Sequence, residues 1–238
     1  MTEVQVRPEI FRDFPSFRRG IVVAREMQNH AYSERLEAML GRLVEEKSSR
    51  PVDLKADPRI LAWNDAHRHF GSNPNKFPPA HAALLKRIQR PGTQIPFISC
   101  VVAIMNYHSV ASVMPVGGDD LAQAGCCLEL CYATGSEIFA PLGAPEAVEH
   151  PVPGEVIYVA AESGQVMCRR WNWRNGHTTR ITEETRHMVM NIDGLGEGSE
   201  ERAMTTRDGV AAMIEEFCGA RVTTALLTPS MPVFRFED

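Results

Sequence analysis

The chain has 238 residues, of which 44% are hydrophobic and 23% are charged. This composition is ordinary for a globular protein and excludes disorder, collagen, a coiled coil or a disulfide scaffold as the main description. The 25 basic and 30 acidic residues give a net charge of −5. This negative net charge argues against a protein that binds a long stretch of nucleic acid, but it is compatible with a local basic patch.

The six cysteines include no Cys-x-x-Cys motif, so the sequence gives no support for a zinc ribbon or a thioredoxin-like site. The N-terminus is polar and carries no secretory signal. The longest apolar stretch, residues 97–105, is far shorter than a membrane span. We therefore expect free thiols, a cytoplasmic location and no membrane partner.

The N-terminal half is predicted to be rich in helices, after a short buried strand at residues 21–24. Ser33 is a good N-cap for a helix whose apolar face repeats at helical spacing. Asp57 followed by Pro58 is a second helix start. Helices are predicted from Ser33 onward and over residues 58–70, 79–88 and 98–110.

The C-terminal half is predicted to be rich in strands. Residues 115–119, Pro-Val-Gly-Gly-Asp, are predicted to form a loop. A last helix carries Val210, Met213, Ile214 and Phe217 and ends at Gly219. The order predicts one α+β domain over residues 1–238, ending in an extended tail at 227–238. Strands are predicted over residues 128–132, 155–160, 165–173 and 187–192.

The densest polar segment, residues 168–186, contains five arginines. Guanidinium groups bind phosphates and indole rings stack on bases, so this composition indicates a candidate RNA site. The alternative is that the tryptophans belong to the core and the arginines pair with acidic neighbours. In a strand the segment would have two faces, with Arg170, Asn172 and Arg174 on one and Trp171 and Trp173 on the other.

His177 lies in a polar turn beside Thr178. Nearby cations favour the neutral imidazole, which is the form that a general base requires. The alternative is an exposed turn histidine without a catalytic role. The other histidines show no metal-ligand spacing, and no nucleotide-binding or nucleophile motif occurs. Neither a metal nor another cofactor is predicted.

Several short strings occur in a distinctive order. They are residues 73–77 (Asn-Pro-Asn-Lys-Phe), 106–107 (Asn-Tyr), 115–121 (Pro-Val-Gly-Gly-Asp-Asp-Leu), 139–143 (Phe-Ala-Pro-Leu-Gly), 153–158 (Pro-Gly-Glu-Val-Ile-Tyr), 168–174 (Cys-Arg-Arg-Trp-Asn-Trp-Arg) and 181–185 (Ile-Thr-Glu-Glu-Thr). This order resembles the freestanding B3/B4 domain proteins, which are similar to the editing domain of the bacterial phenylalanyl-tRNA synthetase beta subunit. The resemblance covers roughly residues 10–220.

The resemblance implies an α+β fold with layered sheets and flanking helices. In the synthetase this domain hydrolyses tyrosine wrongly attached to the phenylalanine tRNA, and freestanding relatives resemble trans-acting editing factors or tRNA-binding modules. The implied partner is the acceptor end of tRNA, or aminoacyl-tRNA, and no DNA. The implied reaction is hydrolysis of the ester between an amino acid and the terminal ribose.

The resemblance also implies site residues. It places His177 where the synthetase has its editing glutamate, and Asn106 at the asparagine of the synthetase's Thr-Asn-Tyr-Val string. Gly117 and Gly118 stand in place of a histidine-containing loop and allow a substrate to approach the backbone. The expected catalytic residues are His177 and Asn106. The expected binding residues are Arg170, Asn172, Arg174, Gly117, Gly118, Thr178, Trp171 and Trp173.

Three functions follow from these patterns. The first is a trans-acting hydrolase of mischarged aminoacyl-tRNA, which the resemblance and the arginine–tryptophan segment support. The second is a module that binds tRNA or an amino acid without catalysis, which the histidine at position 177 favours. The third is a hydrolase of a small ester or amide that uses the same pocket and shows no salt-dependent RNA binding.

Overall fold

The computed structural model describes residues 1–237, which form seven helices and ten strands and confirm the predicted α+β class. The helices are α1 (Pro8–Asp13), α2 (Glu34–Ser49), α3 (Pro58–His69), α4 (Ala80–Ile88), α5 (Cys100–Ser112), α6 (Leu121–Ala124) and α7 (Ser199–Cys218). The strands are β1 (Thr2–Val6), β2 (Arg18–Arg25), β3 (Val116–Asp120), β4 (Cys127–Tyr132), β5 (Val156–Ala160), β6 (Gln165–Arg169), β7 (Arg174–Asn175), β8 (Met188–Gly194), β9 (Arg221–Leu227) and β10 (Val233–Phe236).

The strands form two sheets. The six-stranded sheet has the order β10-β1-β4-β5-β6-β7, and the four-stranded sheet has the order β3-β8-β2-β9. The neighbours β1 and β4 run parallel, whereas the other paired strands run antiparallel. In the four-stranded sheet β3 lies at an edge, because its paired neighbour is β8.

The four-stranded sheet lies between the helices and the six-stranded sheet. Alternate residues of β2 show this arrangement, because successive side chains of a strand point to opposite faces. Val22 and Ala24 belong to the core that α2, α4, α5 and α7 cover. Ile21 and Val23 belong to a second core, which the six-stranded sheet covers from its other side. The layers are therefore helices, four-stranded sheet and six-stranded sheet.

The predicted helix ends are confirmed by their hydrogen bonds. The side chain of Ser33 accepts from the Leu36 N–H at 3.4 Å, and that of Asp57 accepts from the Arg59 N–H at 2.9 Å. Gly219 ends α7 with a φ of 61°, a left-handed conformation that glycine adopts at low cost. None of the helices in residues 1–237 is long and apolar enough to span a membrane.

The predicted loop at residues 115–119 is wrong, because most of it belongs to β3. Two glycines and two aspartates make a weak strand sequence, but antiparallel pairing with β8 gives their backbone a ladder of hydrogen bonds. The division into a helix-rich and a strand-rich half is also incomplete. Strands β1 and β2 lie in the first half, and the longest helix, α7, lies in the second.

The predicted strand over residues 165–173 is too long, since β6 ends at Arg169. Arg170 and Trp171 adopt left-handed φ angles of 47° and 64°, and the Arg170 N–H donates to the buried Glu155 carboxylate at 3.0 Å. The expected two-faced arrangement of arginines and tryptophans is therefore wrong.

After β9 the chain makes a turn between Thr228 and Met231 and continues into β10. Strand β10 pairs with β1 and thereby joins the six-stranded sheet. Asp238 lies outside the described residues.

Candidate functional site

A cleft of about 690 Å³ opens at the β3 edge of the four-stranded sheet. Helices α4 and α5 form one wall, and residues 173–183 form the other. The structure brings three of the residues predicted from sequence into this lining, namely Asn106, Gly118 and Trp173. Because the cleft is large and contains such residues, we take it as the candidate site.

The backbone of β3 faces this cleft. The Val116 N–H donates to Ser109 Oγ at 3.2 Å, and the Asp120 N–H donates to the Thr179 carbonyl at 2.9 Å. In an antiparallel pair every second residue turns its N–H away from the neighbouring strand. Gly118, halfway between these two residues, therefore directs its N–H toward the cleft. A backbone donor in this position can stabilise a carbonyl oxygen that gains negative charge.

Gly118 has no room for a side chain. A Cβ atom at this position would lie 3.1 Å from Met190 Cγ and 3.2 Å from the Val189 carbonyl oxygen. The tight contact explains glycine at this position in the strand. It also leaves the Gly118 backbone open to a ligand in the cleft.

A smaller inner chamber of about 70 Å³ adjoins the cleft. Gly118, Asp119 and Asn175 line both spaces. In the register of the sheet Gly117 stands opposite Asn191, and Arg19 stands opposite Asp193. Directly opposed residues share one face of a sheet, so these polar groups all lie on the face that meets the six-stranded sheet.

Asp119 stands where the cleft and the inner chamber meet. Its side chain is buried and accepts a hydrogen bond from Thr179 Oγ1 at 2.6 Å. Burial raises the pKa of Asp119 to about 7, against the opposing effects of the Thr179 hydrogen bond and the charge of Arg19. A carboxyl group with such a pKa can exchange a proton at neutral pH. Sequence reasoning missed Asp119 because it was read as the end of a loop.

The inner chamber is closed by a buried ion pair. Arg19 donates to Asp193 through Nε at 2.7 Å and through Nη2 at 2.9 Å. Trp171 Nε1 donates to the same carboxylate at 3.1 Å. This arrangement satisfies the Asp193 carboxylate and positions Arg19 beside the chamber. Neither residue of the pair was singled out from sequence, because they lie 174 positions apart.

The arginines of residues 168–186 serve different purposes. Arg169 forms a bidentate pair with the buried Glu155, with both distances between 2.7 and 3.0 Å, so for this residue the acidic-neighbour alternative is confirmed. Arg174 lies 3.5 Å from Glu149. Arg170 rests on the ring of Phe77, with its guanidinium carbon 3.9 Å from the ring centroid. Because neither Arg170 nor Arg174 lines the cleft or the chamber, their predicted role in ligand binding stays a prediction.

The two tryptophans also differ. Trp171 is buried and contacts Phe14, Phe17 and Trp63 edge-to-face, with ring centroids 4.8–5.0 Å apart. It packs in the core and also lines the inner chamber, and its predicted role in stacking on a base stays a prediction. Trp173 is half-buried and lines the cleft.

Asn172 lines the inner chamber, and a histidine positions it. Its Oδ1 lies 3.2 Å from His67 Nε2. Burial lowers the pKa of His67 to about 4, so this ring is neutral at pH 7. With its proton on Nε2, His67 donates to Asn172 Oδ1 and leaves the amide nitrogen of Asn172 without a protein partner.

His177 and Thr178 line neither the cleft nor the chamber. The backbone of His177 is anchored, because its N–H donates to the Ala140 carbonyl at 2.8 Å and its carbonyl accepts from Arg180 Nη1 at 2.8 Å. Its side chain is half-buried, and Nδ1 is enclosed without a hydrogen-bond partner. Asn106 lines the cleft and His177 does not, so the catalytic role predicted for His177 stays a prediction.

Two exposed arginines, Arg87 and Arg180, line the cleft. Within residues 1–237 neither guanidinium forms an ion pair with a carboxylate. Glu183 also lines the cleft and reduces the local positive charge. Two exposed guanidinium groups without a carboxylate partner suit a phosphorylated ligand, although Arg180 also donates to the His177 carbonyl.

The fold and the cleft together define a mixed α+β domain with a polar, buried site at a sheet edge. The family model of the B3/4 domain matches residues 62–219, which is well over half of the chain. The chain therefore belongs to the B3/4 domain family. The match includes the β3 edge, Asn106 and Asp119.

Comparison with solved structures gives a weaker likeness. An N-terminal fragment of the phenylalanyl-tRNA synthetase beta-subunit from Pyrococcus horikoshii is 13% identical, with a TM-score of 0.47. The alignment covers 92% of this chain and 49% of that structure, so the chain spans about half of its length. No curated protein matches the chain.

Proposed function

We propose that the chain binds the acceptor end of tRNA and hydrolyses the ester of a mischarged aminoacyl-tRNA in trans. Membership of the B3/4 family supports this proposal, because the resemblance of the sequence to freestanding members implied the same activity. The exposed arginines Arg87 and Arg180, which form no ion pair with a carboxylate of residues 1–237, support a phosphate-bearing ligand. A contact confined to the acceptor end needs few basic residues, which is compatible with the net charge of −5.

The observation that carries the hydrolytic part is the position of Asp119 next to Gly118. Both residues line the cleft, with a buried carboxyl group on one and a backbone donor directed into the cleft on the other. Asn106 lines the same cleft from α5. A base, an oxyanion donor and an orienting amide are the groups that ester hydrolysis by water requires.

The proposed reaction uses these groups in one sequence. Asp119 removes a proton from a water molecule while the water oxygen attacks the ester carbonyl carbon. The Gly118 N–H donates to the carbonyl oxygen as that oxygen becomes negative. The bond to the ribose oxygen then breaks, the ribose oxygen takes up the proton that Asp119 removed from the water, and a free amino acid and uncharged tRNA are released.

The test is a deacylation assay with a panel of mischarged tRNAs. We expect one species to lose its amino acid faster with the wild-type chain than without it. Asp119→Asn should reduce that rate about 100-fold or more, as removal of a general base usually does. His177→Ala should retain most of the rate, because His177 does not line the cleft. A loss with His177→Ala and none with Asp119→Asn would overturn the assignment of Asp119.

A binding module without catalysis is the second candidate. The observation that favours it is that His177, the predicted catalyst, does not line the cleft, whereas Arg87 and Arg180 do. This candidate predicts salt-dependent tRNA binding with no deacylation of any species. Arg87→Ala and Arg180→Ala should each then weaken binding.

A further inference from the structure

The inner chamber contains several polar atoms without a partner in the protein. Arg19, Tyr158, Asn172 and Asn191 all line it, and each is at least nine-tenths buried. The unpartnered atoms are Arg19 Nη1, Asn172 Nδ2 and Asn191 Oδ1. Buried polar groups without partners are costly in the absence of a ligand or water. Their convergence on one small space points to a ligand group.

The charges around the chamber restrict the kind of group. Arg19 is already neutralised by its bidentate contact with Asp193. A carboxylate in the chamber would add a further acid beside Asp119 and Asp193, and an ammonium would meet Arg19. Burying an unpaired charge in such a space is unfavourable. An uncharged group that both accepts and donates hydrogen bonds fits these neighbours.

The volume restricts the size of the group. The chamber measures about 70 Å³, and a water molecule occupies roughly 30 Å³ in the liquid. The space therefore suits a group of two to four non-hydrogen atoms. A hydroxyl-bearing carbon or a carboxamide meets both the size and the hydrogen-bonding requirements.

We infer that the inner chamber binds the end of the substrate's side chain and selects an uncharged hydroxyl or carboxamide group. The inference rests on the proposed function, because it places the ester in the cleft beside Gly118 and the side chain in the adjoining chamber. Arg19 Nη1 and Asn172 Nδ2 donate to the oxygen of that group. Asn191 Oδ1 accepts from its hydroxyl or amide hydrogen. His67 acts as a positioning residue through its contact with Asn172.

The test uses pairs of side chains with the same shape. The full chain is given tRNA charged with threonine or valine, and tRNA charged with asparagine or aspartate. We expect the uncharged polar member of at least one pair to be hydrolysed ten or more times faster than its partner. Equal rates within both pairs, or faster hydrolysis of valine and aspartate esters, would overturn the inference.

A glycine variant tests whether the chamber is responsible. A Cβ atom at Gly117 would meet no atom within 4 Å, and it would share the sheet face of Asn191. Gly117→Ala should therefore fold and narrow the chamber, reducing the discrimination to about twofold or less. The matched control is Gly41→Ala on α2, which also meets no atom within 4 Å and lies outside both cavities.

A binding measurement separates the inference from the proposed function. Calorimetry with free L-threonine, L-valine, L-asparagine and L-aspartate tests the chamber without any ester. Binding of a polar uncharged amino acid to the wild type but not to Gly117→Ala, without deacylation, would sink the proposed hydrolysis and sustain the chamber assignment. Deacylation that does not distinguish the members of either pair, with no selective binding of a free amino acid, would overturn the chamber assignment and sustain the proposed hydrolysis. Neither binding nor deacylation would overturn both.

Discussion

The face of the four-stranded sheet that meets the six-stranded sheet differs between its two ends. At one end Val23 and Val189 stand opposite each other and are buried in an apolar core. At the other end Arg19, Asn191 and Asp193 are equally buried but surround a chamber. Apolar side chains would stabilise the second end more than incompletely bonded polar groups do. Stability alone therefore does not account for the polar end, where the candidate site lies.

The largest expected effect comes from breaking the buried ion pair. Arg19→Leu leaves the Asp193 carboxylate buried with Trp171 Nε1 as its remaining close donor. We expect the free energy of unfolding to fall by about 3–5 kcal/mol, measured by urea denaturation. The control is Arg12→Leu, which breaks the exposed pair with Asp13 and should cost less than about 1 kcal/mol. Similar losses in the two variants would show that the polar end contributes no more than the surface.

Asp119→Asn should have the next largest effect, and it should raise the free energy of unfolding rather than lower it. The folded-state pKa of about 7 lies above the ordinary 3.8, so the folded chain holds this proton more tightly and wild-type stability falls as pH rises from 4 to 7. At pH 8 the variant should be more stable by up to about 4 kcal/mol, and near pH 4 the two should be equal. Denaturation at several pH values tests this, with the exposed Asp65→Asn as the control. A constant difference across the pH range would contradict the burial of an ionisable group.

His81→Leu should have a smaller effect on the free energy of unfolding, and only at acidic pH. His81 is fully buried beside Trp63, and burial lowers its pKa to about 3. The unfolded chain therefore binds a proton that the folded chain does not, and wild-type stability falls as pH drops below 6.5. At pH 4 the variant should be more stable than the wild type by roughly 3 kcal/mol, with little difference at pH 7. Thermal unfolding checks this, and the exposed His30→Gln should leave the profile unchanged.

Asn106→Ala should change stability least. Its side chain is half-buried in the cleft wall, and substitutions at such positions usually alter the free energy of unfolding by about 0.5 kcal/mol or less. The deacylation rate should nevertheless fall tenfold or more, because the amide orients the ester or the water. A stability loss of several kcal/mol would instead place Asn106 among the structural residues of α5.

Local signals predicted the helices well. The caps at Ser33, Asp57 and Gly219 act through bonds or angles within a few residues, and the structure confirms all three. Strand β1 was missed although Val4 and Val6 alternate with polar residues, which is a pattern typical of a strand. Strand β3 could not be predicted from its own residues, because its pairing with β8 lies about 70 positions away.

The candidate site was predicted only in part. Asn106, Gly118 and Trp173 reach the cleft, and the first two had been marked by the family resemblance. Four of the predicted binding residues line the inner chamber, namely Gly117, Gly118, Trp171 and Asn172. Its other polar residues, Arg19, Tyr158, Asn191 and Asp193, could not be predicted, because they come from the distant strands β2, β5 and β8. The left-handed backbone at Arg170 and Trp171 also had no signal in the sequence, since neither is a residue that favours this conformation.

The pairing of β1 with β10 has a consequence for how the chain folds. Thr2 stands opposite Phe236 in this sheet. The other neighbour of β1 is β4, which follows more than 120 residues later in the chain. Contacts between such distant segments form slowly, because a long loop must close before they are gained. We expect β1 to remain unpaired during most of synthesis and the six-stranded sheet to be completed after the helical layer.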